Sequence, residues 1–151
     1  MQLRPEEITS RLLPFELLSI RLLRSSFKQN PKYEGKGVPI TGRQLGMVLA
    51  IENTCDFDET EHIAKFTQSI STEGNVFLPF VLEAQFVAVF RVGANVAVDE
   101  KEIYIGSLFP QAVFPYLRGH VYDMTIRGGF APMILPLSMH PAKKEAPITP
   151  N

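Results

Sequence analysis

Three histidines, one cysteine and sixteen carboxylates are the side chains in this 151-residue chain that could hold a metal, move a proton or attack a substrate. A metal site needs its ligands brought together at a fixed spacing. His62, His120 and His140 are far apart, and none has a second histidine at the four-residue spacing of a helical zinc pair. Asp56, Asp58 and Thr60 imitate the opening of a calcium loop. Glu61 then stands where that loop turns on glycine, and Thr67 where it needs a bidentate carboxylate. No serine sits in a Gly-x-Ser-x-Gly elbow, and Cys55 has no organised histidine partner. Gly35-Lys36-Gly37 lacks the rest of a phosphate-cradling motif. These residues predict no catalytic centre, no metal and no cofactor, so the chemistry to look for is binding.

Composition narrows the class of partner. A net charge of -1 gives no clustered cationic surface for phosphates, so no nucleic-acid partner is expected. With one cysteine, no internal disulfide can form, which fits a reducing compartment. Glu6, Glu7, Arg11 and Pro14 interrupt the early leucines, and no apolar run approaches spanning length. A cytoplasmic protein without membrane insertion is therefore expected. The length suits one domain with a substantial core.

The elements that must position any binding surface can be read along the chain. Arg11–Phe27 is dense in leucine, but neither helical nor alternating spacing separates its polar residues, and the leucine density alone leans towards helix. Asn30–Arg43, with three glycines and two prolines, reads as a long irregular connection. Leu45–Ile51 alternates as a strand buried on its odd face, and Asp56–Glu61 reads as a solvated turn. His62–Ile70 gives a second period-two signal, with His62, Ala64, Phe66 and Ile70 on one face. Glu73-Gly74-Asn75 closes a hairpin into a strand carrying Leu78, Phe80, Leu82, Phe86, Ala88 and Phe90 on one face and Val81, Val87 and Val89 on the other.

The stretch Ser107–Pro136 carries the strongest signal. Pro110 and Pro115 predict a helix that restarts or kinks and then runs as Tyr116–Arg127, with Gly128 and Gly129 as the left-handed stop. Val113, Leu117, Val121 and Met124 form one apolar stripe, while Phe114, Tyr116 and Tyr122 extend the apolar surface beyond it. Excess apolar surface points to a partner.

The run Phe114-Pro115-Tyr116-Leu117-Arg118, followed by Met124, Arg127-Gly128 and the exit Phe130-Ala131-Pro132, resembles the signature helix of the SecB export chaperones. Leu82-Glu83-Ala84-Gln85 leading to Phe90 resembles that family's last strand, and Phe15–Pro31 its first strand and the start of its crossover loop. Val121-Tyr122-Asp123 with Thr125 is similar to the SecB-like chaperones that guard toxin–antitoxin pairs. The resemblance implies that Arg11–Phe27 is a strand. The expected fold is then α+β: a four-stranded antiparallel sheet with a long C-terminal helix packed on one face, SecB-like over residues 1–138, with 139–151 a disordered tail.

Under that resemblance the chain is an ATP-independent chaperone that holds unfolded polypeptide, and it assembles as a homotetramer, a dimer of dimers with helices between sheets. The implied client groove lies between the helix and the crossover connection, at Met47, Leu49 and Ile51. The residues add Tyr33, Val38 and Ile40 from the connection, and Phe109, Phe114 and Tyr116 from the aromatic helix. Two partner classes are open: non-native chains at large, or a single antitoxin. The family's outer sheet face docks the export motor ATPase through acidic residues. Here two matching positions are Arg24 and Lys28, and only Glu83 keeps its negative charge, which argues against that motor. The family's C-terminal helix is replaced by the proline-bearing stretch His140–Pro150. A different class of function is an adaptor that binds a folded protein through Arg21, Arg24 and Lys28.

Overall fold

The computed structural model describes residues 15–34, 49–93 and 96–136. They form strands β1 (Glu16–Gln29), β2 (Ala50–Asp58), β3 (Ile63–Ser71) and β4 (Phe80–Arg91), then helix α1 (Val98–Ile103), a π-helical turn (Tyr104–Leu108) and helix α2 (Phe109–Arg127). The sheet is antiparallel throughout, in the order β1-β4-β3-β2. β1 and β2 are its edges. This is the expected α+β architecture, with the helix on one face. Expected positions 35–48 and 137–151 fall outside the described residues, and so do the groove residues Val38, Ile40 and Met47 and the tail.

β1 is a strand because two register shifts, between Leu17 and Ser19 and between Leu22 and Arg24, let it keep one face to the core despite its irregular spacing. Leu17, Ile20, Leu22, Ser25 and Phe27 lie opposite Phe90, Ala88, Phe86, Ala84 and Leu82, the inward residues of β4. Intervals of three and two residues match neither the alternating nor the helical template. β2 corrects the expected boundaries. The inward phase read over Leu45–Ile51 continues as Ile51, Asn53, Cys55 and Phe57, opposite Ile70, Gln68, Phe66 and Ala64. The acidic residues through Asp58 belong to the strand's outer face and end, so the turn is only Glu59–His62. There His62 takes a left-handed φ of 55° and its carbonyl accepts the Val92 N–H at 2.8 Å.

Helical backbone begins at Val98, where Glu100 accepts the Ala97 N–H at 3.3 Å, eighteen residues before the expected start at Tyr116. The two prolines do not restart it. Pro110 occupies the first turn of α2, where a missing N–H is harmless, and the bonding just before it widens to the i+5 pattern, Phe109 N–H to the Tyr104 carbonyl. Pro115 sits inside α2 on its exposed side. At the C-terminus the glycines have separate jobs. Gly128 remains right-handed, at φ −74°, and Gly129 alone is left-handed, at φ 84°. Gly128 is needed for space, because a Cβ there would overlap the Phe27 ring.

The core is a slab between α2 and the inner faces of β3 and β4, and Phe109 is its centre. Its ring stacks on Phe90 with centroids 4.2 Å apart and meets Tyr104, Phe15, Phe66 and Phe57 at 5.1, 5.6, 5.7 and 6.2 Å. At the other end Phe27, Phe80 and Phe130 form a second cluster. Phe109→Ala removes a ring that touches both edge strands and should cost about 3–5 kcal/mol in a denaturant titration. Gly128→Ala should cost about 1–3 kcal/mol through displacement of Phe27; equal midpoints for Gly128→Ala and wild type would refute the steric role.

Candidate functional site

Strands β1 and β2 and helix α2 each leave part of their surface uncovered, and these surfaces are where a partner can bind. α2 turns Val113, Leu117, Val121 and Thr125 inwards, all fully buried, and Met124 half inwards. Its opposite side presents Tyr116 at 48 %, Tyr122 at 41 % and Ile126 at 46 % exposure, with Pro115, Gly119 and Asp123 among them and Gln111 and Arg127 towards the helix ends. An isolated soluble subunit gains nothing from so apolar a helix face. β2 is the second surface. α2 packs over β4 and β3, and β2 is reached mainly at its Phe57 end, by the π turn, by Phe109 at the start of α2 and by Lys101. Its inward residues Ile51, Asn53, Cys55 and Phe57 are therefore half-buried rather than sealed. β1 contributes Leu18, Leu22 and Leu23, all exposed.

The expected groove residues divide among these places. Ile51 lies half-buried on the inner face of β2, next to Leu49, which is buried with the core. Phe109 and Phe114 are also buried, Tyr116 is on the outward face of α2, and Tyr33 is exposed just past β1. The expected docking residues come together: Arg21, Arg24 and Lys28 form one row on the outer face of β1, and Glu83 is beside them on β4, opposite Ser26. Arg118 is half-buried and its Nε donates to the Leu135 carbonyl at 2.8 Å, which ties the exit segment back along the helix. Thr125 Oγ1 accepts the Met133 N–H at 2.9 Å beside it.

One constellation has no signal in the linear sequence. His120 on α2 places Nε2 2.9 Å from Ser25 Oγ on the inner face of β1, and Ser25 also lies 3.3 Å from Met124 Sδ. The serine has one proton. With Nε2 protonated, the imidazole donates to Ser25 and the hydroxyl passes its own proton to sulfur, so both contacts are satisfied. Asp123 stands one turn later, but among the described residues no hydrogen bond joins it to His120, so nothing orients the ring as a base. The contact is a polar stitch between helix and edge strand. Burial lowers the His120 pKa from its usual 6.5, with repulsion from Arg127 adding to this and attraction to Asp123 opposing it.

The Cys55 thiol is held neutral. Burial, with Asp56 next to it, raises its pKa from 9.0 to about 12. No three metal-binding side chains converge among the described residues, and no helix there is long and apolar enough to cross a membrane. A shallow pocket between the β2–β3 turn and α1 has room for about one water. Its charges are largely met by Lys101, which binds Glu59 at 3.1 Å and stands 5.3 Å over the Phe57 ring.

The family model for the preprotein translocase subunit SecB matches residues 44–138, more than half of the chain. The chain belongs to the SecB family. Among relatives of this SecB-family chain, the protein-export protein SecB of Nitrosomonas europaea is 45 % identical over 56 residues, which cover 37 % of this chain and 34 % of the relative. That of Saccharophagus degradans is 28 % identical over 101 residues, covering 67 % of this chain and 57 % of the relative. The matched stretches thus span about a third to just over half of the relatives' length. A Mycobacterium tuberculosis SecB-like chaperone, solved with a ChAD peptide from an antitoxin, superposes with a TM-score of 0.63 at 23 % identity. That comparison covers 84 % of this chain and 92 % of the other, and confirms the fold.

Two titrations test the SecB-family site. The folded state resists protonating His120, so stability is full above pH 6.5 and falls as pH drops below it, towards the lowered folded value. Denaturant midpoints should decline from pH 7 to pH 5, less steeply in His120→Gln; parallel slopes in the two proteins would refute the assignment. A thiol reagent at pH 7.5 should label native Cys55 at least tenfold more slowly than the unfolded chain.

Proposed function

We propose that this chain is a cytoplasmic, ATP-independent holdase: it binds extended apolar segments of non-native polypeptide and keeps them from aggregating. The observation that carries this reading is the half-open inner face of β2, where Ile51 and Cys55 stand half-buried beside the core, beyond the end that Phe109 and Lys101 cover at Phe57. A receptor for chains of no fixed shape needs apolar surface next to a strand edge, where side chains and main chain can both be engaged. Ile51 and Tyr33, with Met47 ahead of β2 and Val38 and Ile40 from the connection, are proposed as its walls; Leu49, Phe109 and Phe114, expected there, are buried and back the groove from the core, and Tyr116 belongs to the outward face of α2. Nothing in the reading requires a catalytic step. Membership of the SecB family supports it, and so does the role of the relatives as export proteins.

The outward face of α2 gives the reading its second part. Tyr116, Tyr122 and Ile126 are proposed to pack on the same face of another copy, building the homotetramer. Several grooves on one assembly would then bind one long client with avidity. A dedicated antitoxin client is the narrower form, in keeping with the peptide carried by the mycobacterial structure. The basic row Arg21, Arg24 and Lys28 favours a separate reading, an adaptor that docks an acidic folded partner; steep weakening of that contact by salt is its signature.

The holdase reading is tested by light scattering of an unfolded model protein as it aggregates. Stoichiometric suppression is expected, and well-folded chain that gives none would end the proposal. Ile51→Asp, folded as judged by circular dichroism, should lose at least tenfold in client affinity, because the client would then desolvate a charge. Tyr122→Asp should lower the mass in sedimentation from tetramer towards smaller species; an unchanged mass would remove the helix face from the assembly.

A further inference from the structure

Gln68 is out of place by composition. It lies on the inner face of β3 between Phe66 and Ile70, opposite Phe86 of β4, and only 2 % of its surface is exposed. Its Nε2 donates to Asn53 Oδ1 at 3.1 Å, on the inner face of edge strand β2. Its Oε1 is buried and has no partner, and it is the one side-chain nitrogen or oxygen in that condition among the described residues. Reversing both amides moves the deficit from an acceptor to a donor at the same point in space. In either setting a buried polar group has lost water and gained nothing, whereas leucine of similar size would leave no such deficit.

The position of that atom says what could meet it. Asn53 holds the other atom of the same amide from the half-open β2 side, and Ile51 and Cys55 stand two residues to either side of Asn53, half-buried. A ligand that inserts between these side chains and displaces Asn53 reaches a buried polar group beneath them. Main chain in an extended peptide suits such a group, because it offers an N–H and a C=O in alternation between side chains. It therefore answers the deficit whichever way the amide is set, and it is common to every sequence.

Resting on the holdase reading, we infer that Gln68, held by Asn53 until the client enters, is a main-chain reading residue beneath the client groove: its free Oε1 accepts the N–H of a peptide group of an extended client segment. Side chains of the client then make contacts that tolerate variation, while one peptide group fixes its depth and register. A client segment with proline at that point lacks the N–H and is disfavoured.

The test uses the full chain, a permanently unfolded carboxymethylated protein as client, and a short leucine-rich and phenylalanine-rich peptide made in variants N-methylated at successive single main-chain nitrogens. Gln68→Leu should keep or raise the denaturation midpoint and weaken both clients about tenfold. Wild type should lose about tenfold for one N-methylated variant, and Gln68→Leu should not distinguish that variant from its parent. Should Gln68→Leu not fold, the N-methyl series on wild type decides alone: a loss at one position supports the inference, and a flat series overturns it. Equal client affinity in wild type and Gln68→Leu overturns it while the holdase reading stands. Wild type that binds neither client ends both.

Discussion

Phe109 holds the structure together. It is the first residue of α2, and its ring touches β1's lead-in through Phe15, β2 through Phe57, β3 through Phe66, β4 through Phe90 and the π turn through Tyr104. Backbone bonding within the described four-stranded sheet does not hold the helix in place, so helix position depends on side-chain contacts, the aromatic packing first and the Ser25–His120 stitch beside it. Fixing one end of α2 at this cluster and the other at Phe27 and Phe130 sets the line the helix takes over β4 and β3. That line is also what leaves β2 half-uncovered. The half-buried state of Ile51 and Cys55 is thus a consequence of where the aromatic anchors are.

The parts of the fold legible in the sequence are those whose periodicity is undisturbed. β3 and β4 alternate cleanly, and their expected inward residues Ala64, Phe66, Ile70, Phe80, Leu82, Phe86, Ala88 and Phe90 are all buried, as is Leu78 just ahead of β4; His62, expected with them, is instead exposed in the turn. β1 is legible only through family resemblance, because its two register shifts space the inward side chains by three and two residues, an average between strand and helix. The helix start is misread for a related reason. Pro110 and Pro115 are breakers by local chemistry, yet one sits in a first turn and the other on a solvent-facing side where the lost bond costs least. α1 has no apolar stripe at all and shows itself only by Asp99 and Glu100 in its first turn.

The site is less legible than the fold. Spacing along β2 gives the inward phase correctly, but whether an inward residue ends up sealed or half-open depends on where the helix crosses, which is a tertiary fact. Hence Leu49 lies with the core while Ile51, two residues on, does not. The aromatic surplus divides the same way: Phe109 and Phe114 build the core, and Tyr116 and Tyr122 are left exposed. Ser25 and His120, 95 residues apart, cannot be paired from sequence. Each of these is a long-range contact, and local propensity carries no information about it.

The outer face constrains partners in a way neither net charge nor composition reveals. Its β1 rim carries Arg21, Arg24 and Lys28, and its β2 rim Glu52, Asp56 and Asp58, while the two strands between contribute Val81, Val87, Val89, Thr67 and Ser69 together with Glu83, Lys65 and an Arg91 paired with Glu16. Three inter-strand spacings separate the rims, about 14 Å, which exceeds the screening length of about 8 Å at physiological salt. The rims therefore do not cancel one another, although the chain as a whole is nearly neutral at net charge -1; what moderates each is local, Glu83 beside the basic row and Lys65 opposite Asp56. A partner that docks by charge must place acidic groups over β1 and basic groups over β2. A surface that is basic throughout meets repulsion at the β1 rim that the β2 rim is too far away to relieve. The face thus selects by orientation as well as by sign.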